Sequence, residues 1–584
     1  MTNLRTLLAP ARIVERLAAA WVGTVAVLAL VMLAVAPIDR VNGITDIFTY
    51  RQDAPVLAVG LVFWLIAAAW SLTRPVDWPP TPGPRAVVVV ALLVGLTGLL
   101  GARLVYRNYG LSMDEFMATF DAQILRGGRL LAPVALEWRP FVQGLQPIFR
   151  AQVADGAAWG SSYLPVNAAF QALFAMPGFP TAASALWAAT SIIATYGVAQ
   201  RIWPQRRDAP WVAVVLLASS TQLLVTAMTA YAMTAHLALN MVWLWLFLRG
   251  DRRGHAAAAG VAWLACGLHQ VIFHPLFAAP FVAQLWLGRR WRAAAFHTAA
   301  YLVIGLFWTF YGTLALHLSG AEPAGAVGAS HLMQEVTGLL SKFDLAGVAL
   351  MAKNLLRFTA WQNPLTVALF MLGLWPALQR GGVLQALAIG VLLTLAAAFV
   401  LLPFQGHGWG YRYVHGLLGG ICLVAAGTWV HQVDGDVTRR PAMAKALAAS
   451  CAFVWGLLLP WQAHQVHRWV TPYARASAAL AQMDADVVVI DPRGVWYGRD
   501  LARNDPFLAH RPKVMSLADL NEPRIDLLCR THRVTIFDQT AASPFGIRPA
   551  RIGGELDAQA ARLRAVMTRL HCGEPPLASG RPGT

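Results

Sequence analysis

Two neighbouring carboxylates, Asp114 and Glu115, open the stretch Ser-Met-Asp-Glu-Phe-Met-Ala-Thr-Phe-Asp-Ala-Gln-Ile-Leu-Arg-Gly-Gly at residues 112–128. A carboxylate held beside a reacting hydroxyl can take its proton, and Asp114 is the candidate general base. Ser112, three residues before Glu115, has the spacing of a capping box, and the paired glycines Gly127 and Gly128 read as a helix stop. Glu115 therefore has two readings, capping partner of Ser112 and second catalytic carboxylate. Acidic residues are favoured at a helix start without any chemistry, so the bland reading weighs more for Glu115 than for Asp114. Phe116, Phe120 and Ile124 recur every four residues, which predicts an amphipathic helix laid along a membrane interface.

A phosphate needs fixed cations, and arginine offers two parallel hydrogen bonds that match its oxygens. Arg412 is the first candidate for that role, with His407 beside it; Lys353 and Arg357 are further candidates. As an alternative, Arg412 is a membrane-edge anchor that snorkels. Gly406, Gly408 and Gly410 alternate with His407, Trp409 and Tyr411, a pliable loop with aromatic surface for a sugar ring or a lipid. His236, His269 and His274 fall near helix ends, but their spacing is not a ligand motif, and no metal or other cofactor is predicted.

The elements that must position these residues are apolar. Of 584 residues, 57% are hydrophobic and 13% charged, so the bilayer must solvate most of the chain. Runs of about 20 apolar residues predict roughly thirteen spans in all, near residues 17–36, 55–73, 86–106, 180–200, 210–227, 229–248, 256–273, 275–288, 295–317, 363–378, 383–403, 413–432 and 443–463. Lys and Arg exceed Asp and Glu by 46 to 29, yet they lie in short clusters between the runs, which excludes a nucleic-acid-binding stripe. With a cytoplasmic N-terminus, Arg5, Arg12, Arg16, Arg74, Arg85, Arg201, Arg206, Arg207, Arg249, Arg252, Arg253, Arg289, Arg290, Arg292, Arg380, Arg439, Arg440 and Lys445 all fall on the inside. The first apolar run has no small-residue cleavage site behind it, so a signal peptide is not expected.

This topology predicts a membrane domain over residues 1–463, with segments 107–179 and 318–362 outside, and a small extracytoplasmic α/β domain over 464–584. The latter rests on strand-like runs such as Val487–Ile490 and Val534–Phe537. The Gly/Ala-rich run 320–328 reads as a flexible loop. Cys266, Cys422 and Cys451 lie in apolar runs, whereas Cys529 and Cys572 in the polar tail either pair or remain free thiols.

Taken in order, these stretches resemble the GT-C class of polyprenyl-phosphosugar glycosyltransferases, which includes protein O-mannosyltransferases and aminoarabinose lipid A transferases. The resemblance covers about residues 86–432. It is carried by Asp114-Glu115 through Gly127-Gly128, Ser162-Tyr163-Leu164-Pro165-Val166-Asn167, Tyr231-Ala232-Met233-Thr234-Ala235-His236 leading to Leu248-Arg249-Gly250, and Gly410-Tyr411-Arg412-Tyr413. It implies a GT-C-like α-helical bundle in a bacterial inner membrane. The implied activity is inverting transfer of a sugar from a polyprenyl-phosphate donor to a glycan, lipid or protein acceptor in the cell envelope. Asp114 is then the base, and Arg412, His407, Tyr411, Lys353, Arg357, His269 and Tyr163 contact donor phosphate or substrate. Competing readings are a transporter or flippase of lipid-linked glycans, with ionisable groups at the membrane midplane, and an oligosaccharide polymerase or ligase of another membrane fold.

Overall fold

The computed structural model describes residues 2–35, 44–71, 82–179, 181–324, 345–547, 549 and 555–572. Every one of the apolar runs expected from the sequence holds helix. Among the described residues eight helices are long and apolar enough to cross a membrane, namely Ile13–Val35, Ile44–Ser71, Pro84–Leu104, Ala182–Ile202, Trp291–Leu318, Gly382–Leu401, Arg412–Gly435 and Val437–Leu480, which fits a polytopic membrane protein. The other runs correspond to shorter helices. The run at 210–227 breaks at Ser219–Ser220, where the Ser220 hydroxyl caps a second helix, Thr221–Thr226. The remaining four are Met233–Phe247, Arg252–Cys266, Phe273–Leu287 and Pro364–Arg380. Turn residues rather than hydropathy set these lengths, which is why a count of apolar runs overstates the number of full-length helices.

Small residues let the helices approach. Ala182–Ile202 packs against both Pro84–Leu104 and Met233–Phe247. A Cβ on Gly98 would sit 3.2 Å from the Cβ of Ala185, and one on Gly197 would press into the Trp245 indole at 2.7 Å. Between apolar helices in a lipid environment, such close van der Waals packing supplies attraction that water exclusion does not.

The arginine-rich connections meet one another. Arg206 pairs with Asp434 at 2.6 Å, Arg290 donates to the Gly250 carbonyl at 3.3 Å, and Gln284 donates to that of Gly382 at 2.8 Å. Arg74 lies outside the described residues, as do residues 325–328 of the Gly/Ala-rich run. A second set of connections converges elsewhere: the Leu164 N–H donates to His269 O, Val166 to Gly267 O, and Ala154 to Glu322 O.

The last long helix, Leu459–Leu480, continues well past the expected boundary at 463 because its buried stripe, Val466, Val470, Tyr473, Ala476 and Leu480, keeps packing after the membrane run ends. Beyond it, β3 (Val487–Ile490) lies between β4 (Lys513–Ser516) and β5 (Val534–Phe537), all parallel, with β1 (Ala132–Pro133) and β2 (Ala158–Trp159) forming a separate antiparallel pair. β3 is buried on both faces, as its unbroken apolar run demands. Helices Glu522–Thr531 and Glu555–Arg569 cover this sheet, and Cys529 is joined to Cys572 by a disulfide.

The helix Met113–Arg126 forms as its capping box and terminal glycines dictate: the Ser112 hydroxyl accepts from Glu115 N, Glu115 accepts from Ser112 N, and Gly128 has φ of 69°. Its apolar face, expected along the membrane interface, is buried inside the protein instead. Phe120 and Ile124 are buried in a shared core with Trp159, Val487, Met515 and Leu520, so this face docks against the three-stranded parallel sheet. Each such side chain contributes roughly 1.5–3 kcal/mol on burial.

Candidate active site

Asp114 occupies the first turn of that helix and is caged. Tyr163 donates a short hydrogen bond to its Oδ1, and Arg412 reaches its Oδ2 at 2.5 Å. Arg412 also donates to the His407 carbonyl at 3.2 Å, while its backbone N–H is held by Gln405 Oε1 at 2.9 Å. Its Nε is buried without a hydrogen-bond partner among the described residues. His269 stacks on the Tyr163 ring with centroids 4.0 Å apart. Tyr163 itself is set just before the helix Val166–Ala175, in a segment tied to the 267–269 turn by the backbone bonds given above. A Cβ on Gly267 would collide with Trp308, so that close approach requires glycine.

Electrostatics separate the two adjacent acids. Burial works to raise the Asp114 carboxyl, but Arg412, His269 and the bonds from Tyr163 and Arg412 outweigh it and hold the group below its usual range. Burial pushes Glu115 up to about 7, opposed by its Ser112 bonds and by Arg503. Asp114 is thus a fixed anion at neutral pH while Glu115 sits near its midpoint. Burial lowers His269 to about 4 against the pull of Asp114, and lowers His407 to about 3, so both rings are neutral.

From this pair a network extends through buried groups. Ser112 Oγ lies 2.7 Å from the Tyr231 hydroxyl, which lies 3.2 Å from His407 Nδ1. Arg412 stands over the rings of Tyr231 and Tyr413, 5.7 and 5.5 Å from their centroids. Asp114, Tyr163, Arg412, His407 and His269 are therefore gathered in one place. Tyr411 is buried, its carbonyl accepting from Gln222 at 2.8 Å.

Lys353 and Arg357 were expected in an outer loop; both lie instead on the helix Leu345–Ala360, where an apolar stripe buries them. Lys353 pairs with Asp46 at 2.9 Å, away from Asp114. Arg357 donates to the carbonyls of Gly408 at 2.5 Å and Gly410 at 3.1 Å, and stacks 3.9 Å over Phe48, so it shapes the 406–411 loop from behind.

Three contributors carry no sequence motif. Asp500 accepts from the Met113 N–H at 2.7 Å, and Arg503 donates to Leu111 O at 2.8 Å, so the segment that follows β3 fixes the start of the Asp114 helix. Asp121, two turns along the same helix face as Asp114, accepts from Ser161 N at 2.9 Å, and burial raises it to about 7. Only its seven-residue spacing from Asp114 could have flagged it.

Asp114, Asp121, Tyr163, Tyr231 and His269 line one narrow cavity. It adjoins a groove of about 410 Å³ that shares Asp121, Ser161 and Tyr163 with it and is walled by Trp308, Tyr311 and Leu316. On the other side it shares Ala232 and His269 with a cleft that reaches Arg412, His236 and Phe273. Among the described residues no cluster of three or more His, Cys, Asp or Glu is placed to hold a metal ion.

No protein-family model matches the chain, and no curated protein does. Among solved structures the chain is similar to that of ArnT from Cupriavidus metallidurans in the apo state, with 12% identity, a TM-score of 0.44, and coverage of 74% of this chain and 85% of that one.

Proposed function

We propose that this chain is a GT-C-type membrane glycosyltransferase that moves one sugar from a lipid-phosphate carrier to an acceptor outside the cytoplasm, with Asp114 as base and Arg412 as the cation that meets the phosphate. The observation that carries the reading is the shared position of Arg412, which holds Asp114 with one nitrogen while its buried Nε has no partner among the described residues. A free buried donor is costly unless something occupies it, and a phosphate oxygen matches it in charge and geometry.

The acceptor's proton passes to Asp114 as its oxygen or nitrogen bonds to the anomeric carbon. The bond from that carbon to the phosphate oxygen breaks, and its electron pair leaves on the phosphate. Attack opposite the leaving group inverts the centre. In the resting pair Asp114 is a weak base, because Arg412 and Tyr163 stabilise its anion. As negative charge grows on the phosphate it draws Arg412 away, and the basicity of Asp114 rises where the proton must move. The interaction is thus stronger in the transition state than in the ground state. The cleft at Arg412 and the groove at Asp121 offer separate approaches for the two substrates.

The clustering of arginines on the opposite connections supports a cytoplasmic location for those, and hence an extracytoplasmic site in the bacterial inner membrane. The Cys529–Cys572 disulfide supports an oxidising compartment for the α/β domain. The test is incubation of purified protein with radiolabelled polyprenyl-phosphate sugars and an envelope extract. Label moves to an acceptor with the native chain and not with Asp114→Asn; transfer undiminished by that substitution refutes the assignment.

One observation favours a transporter instead: histidines are buried inside the helices, His274 between Asn240 at 2.7 Å and Tyr301 at 2.9 Å, and His255 against His297 at 3.0 Å. Proton-coupled uptake by sealed vesicles would favour that reading over the enzymatic one.

A further inference from the structure

A second groove, of about 350 Å³, opens between the start of the helix Ile44–Ser71, the helix Leu459–Leu480 and the α/β domain. It belongs neither to the Asp114 cavity nor to the grooves adjoining it. Two guanidiniums line it, Arg51 and Arg468, both exposed, and among the described residues neither has an ion pair or a side-chain hydrogen bond. Both guanidiniums therefore keep their charge-assisted donors free, and an anion entering the groove can accept hydrogen bonds from its lining.

The remaining wall matches a ligand at a membrane surface. Trp469 and Trp496 meet edge to face with centroids 5.2 Å apart, rings of the kind that sit at headgroup level. The Trp469 indole N–H, a donor on this wall, has no hydrogen-bond partner among the described residues. Backbone geometry singles out the same place: residues Phe48–Asp53 form a π-helical turn, a local widening common at functional sites, and it carries Arg51 into the groove. Exposed arginines at a bilayer edge often do nothing more than snorkel. Here they stand over a walled concavity with an unpartnered indole N–H, which a bare anchor does not need.

We infer that this groove binds the phosphate of an anionic lipid head group, with Arg51 and Arg468 as its cations. Phe48 lines this groove, its ring lies 5.7 Å from that of His407, and the His407 carbonyl accepts from Arg412. The site takes a phosphate-bearing amphiphile whether or not the chain is a glycosyltransferase, because binding alone defines it.

The test is native mass spectrometry of the purified full chain in detergent with phosphatidic acid, with diacylglycerol lacking the phosphate, and with inorganic phosphate. The native chain and Asp114→Asn retain phosphatidic acid and not diacylglycerol. The double variant Arg51→Gln/Arg468→Gln, with an unchanged melting temperature, loses at least about tenfold in affinity. Equal retention of phosphatidic acid by the double variant overturns the assignment, as does equal retention of diacylglycerol by the native chain. Retention of inorganic phosphate with exclusion of the lipid assigns the groove to a soluble anion and overturns it too. A melting temperature that falls in the double variant calls for Arg51→Lys/Arg468→Lys, which keeps the charges and must restore lipid binding.

Discussion

Replacing Tyr163 by Phe removes one hydroxyl and leaves the ring, so the stack on His269 with centroids 4.0 Å apart is preserved. The hydroxyl donates to one carboxylate oxygen of Asp114 while Arg412 holds the other. The Asp114 side chain is only 8% exposed, so water does not take over the missing bond. A hydrogen bond to a charged group contributes about 1.5–3 kcal/mol, which is about 10- to 100-fold in the proton affinity of the carboxylate. The sign follows from the form stabilised. Tyr163 favours the anion, so its loss favours the acid, and Asp114 is ionised only above a higher pH than in the native chain. With Asp114 as base, the acid side of the pH profile of kcat/KM moves to higher pH in Tyr163→Phe, while KM at neutral pH changes little. The assay is transfer of label from a polyprenyl-phosphate sugar over pH 4–8. An acid limb that stays in place, with the whole loss in KM, would mean that Tyr163 binds substrate and that Asp114 is not the titrating base.

Glu115 is raised from 4.5 to about 7 by burial, so the folded state holds its proton more tightly than the unfolded state, and stability falls as pH rises through that window by on the order of 3 kcal/mol. Glu115→Gln, which can still cap Ser112, should flatten the decline of the melting temperature between pH 4.5 and 7; a slope identical to the native one refutes this account. The Cys529–Cys572 bridge closes a loop with a sequence separation of 43, and on the chain-entropy view its removal costs about 4 kcal/mol. Cys529→Ser/Cys572→Ser should therefore lower the melting temperature and expose the helix Glu555–Arg569 to proteolysis before the membrane helices, as read by limited digestion and mass spectrometry.

Much was legible in the sequence because its signals are local. The apolar runs lie in helix, the capping box at Ser112 and Glu115 starts a helix, Gly127 and Gly128 end it, and Val487–Ile490 is a buried parallel strand. Each of these depends on residues within a turn or two, where spacing alone fixes which groups can meet. Tertiary structure decided the rest. A hydrophobic stripe specifies that something apolar covers it but not what, and for Phe120 and Ile124 the cover is the three-stranded sheet and the residues packed on it rather than lipid. Helix length was likewise decided by polar breaks such as Ser219–Ser220 and by packing that carries the last helix to Leu480. The meeting of Arg412 with Asp114, 298 residues apart, and of Asp500 with Met113, 387 residues apart, has no local signature. A cation's partner is set by where distant helices and domains dock, and that packing is a property of the whole chain.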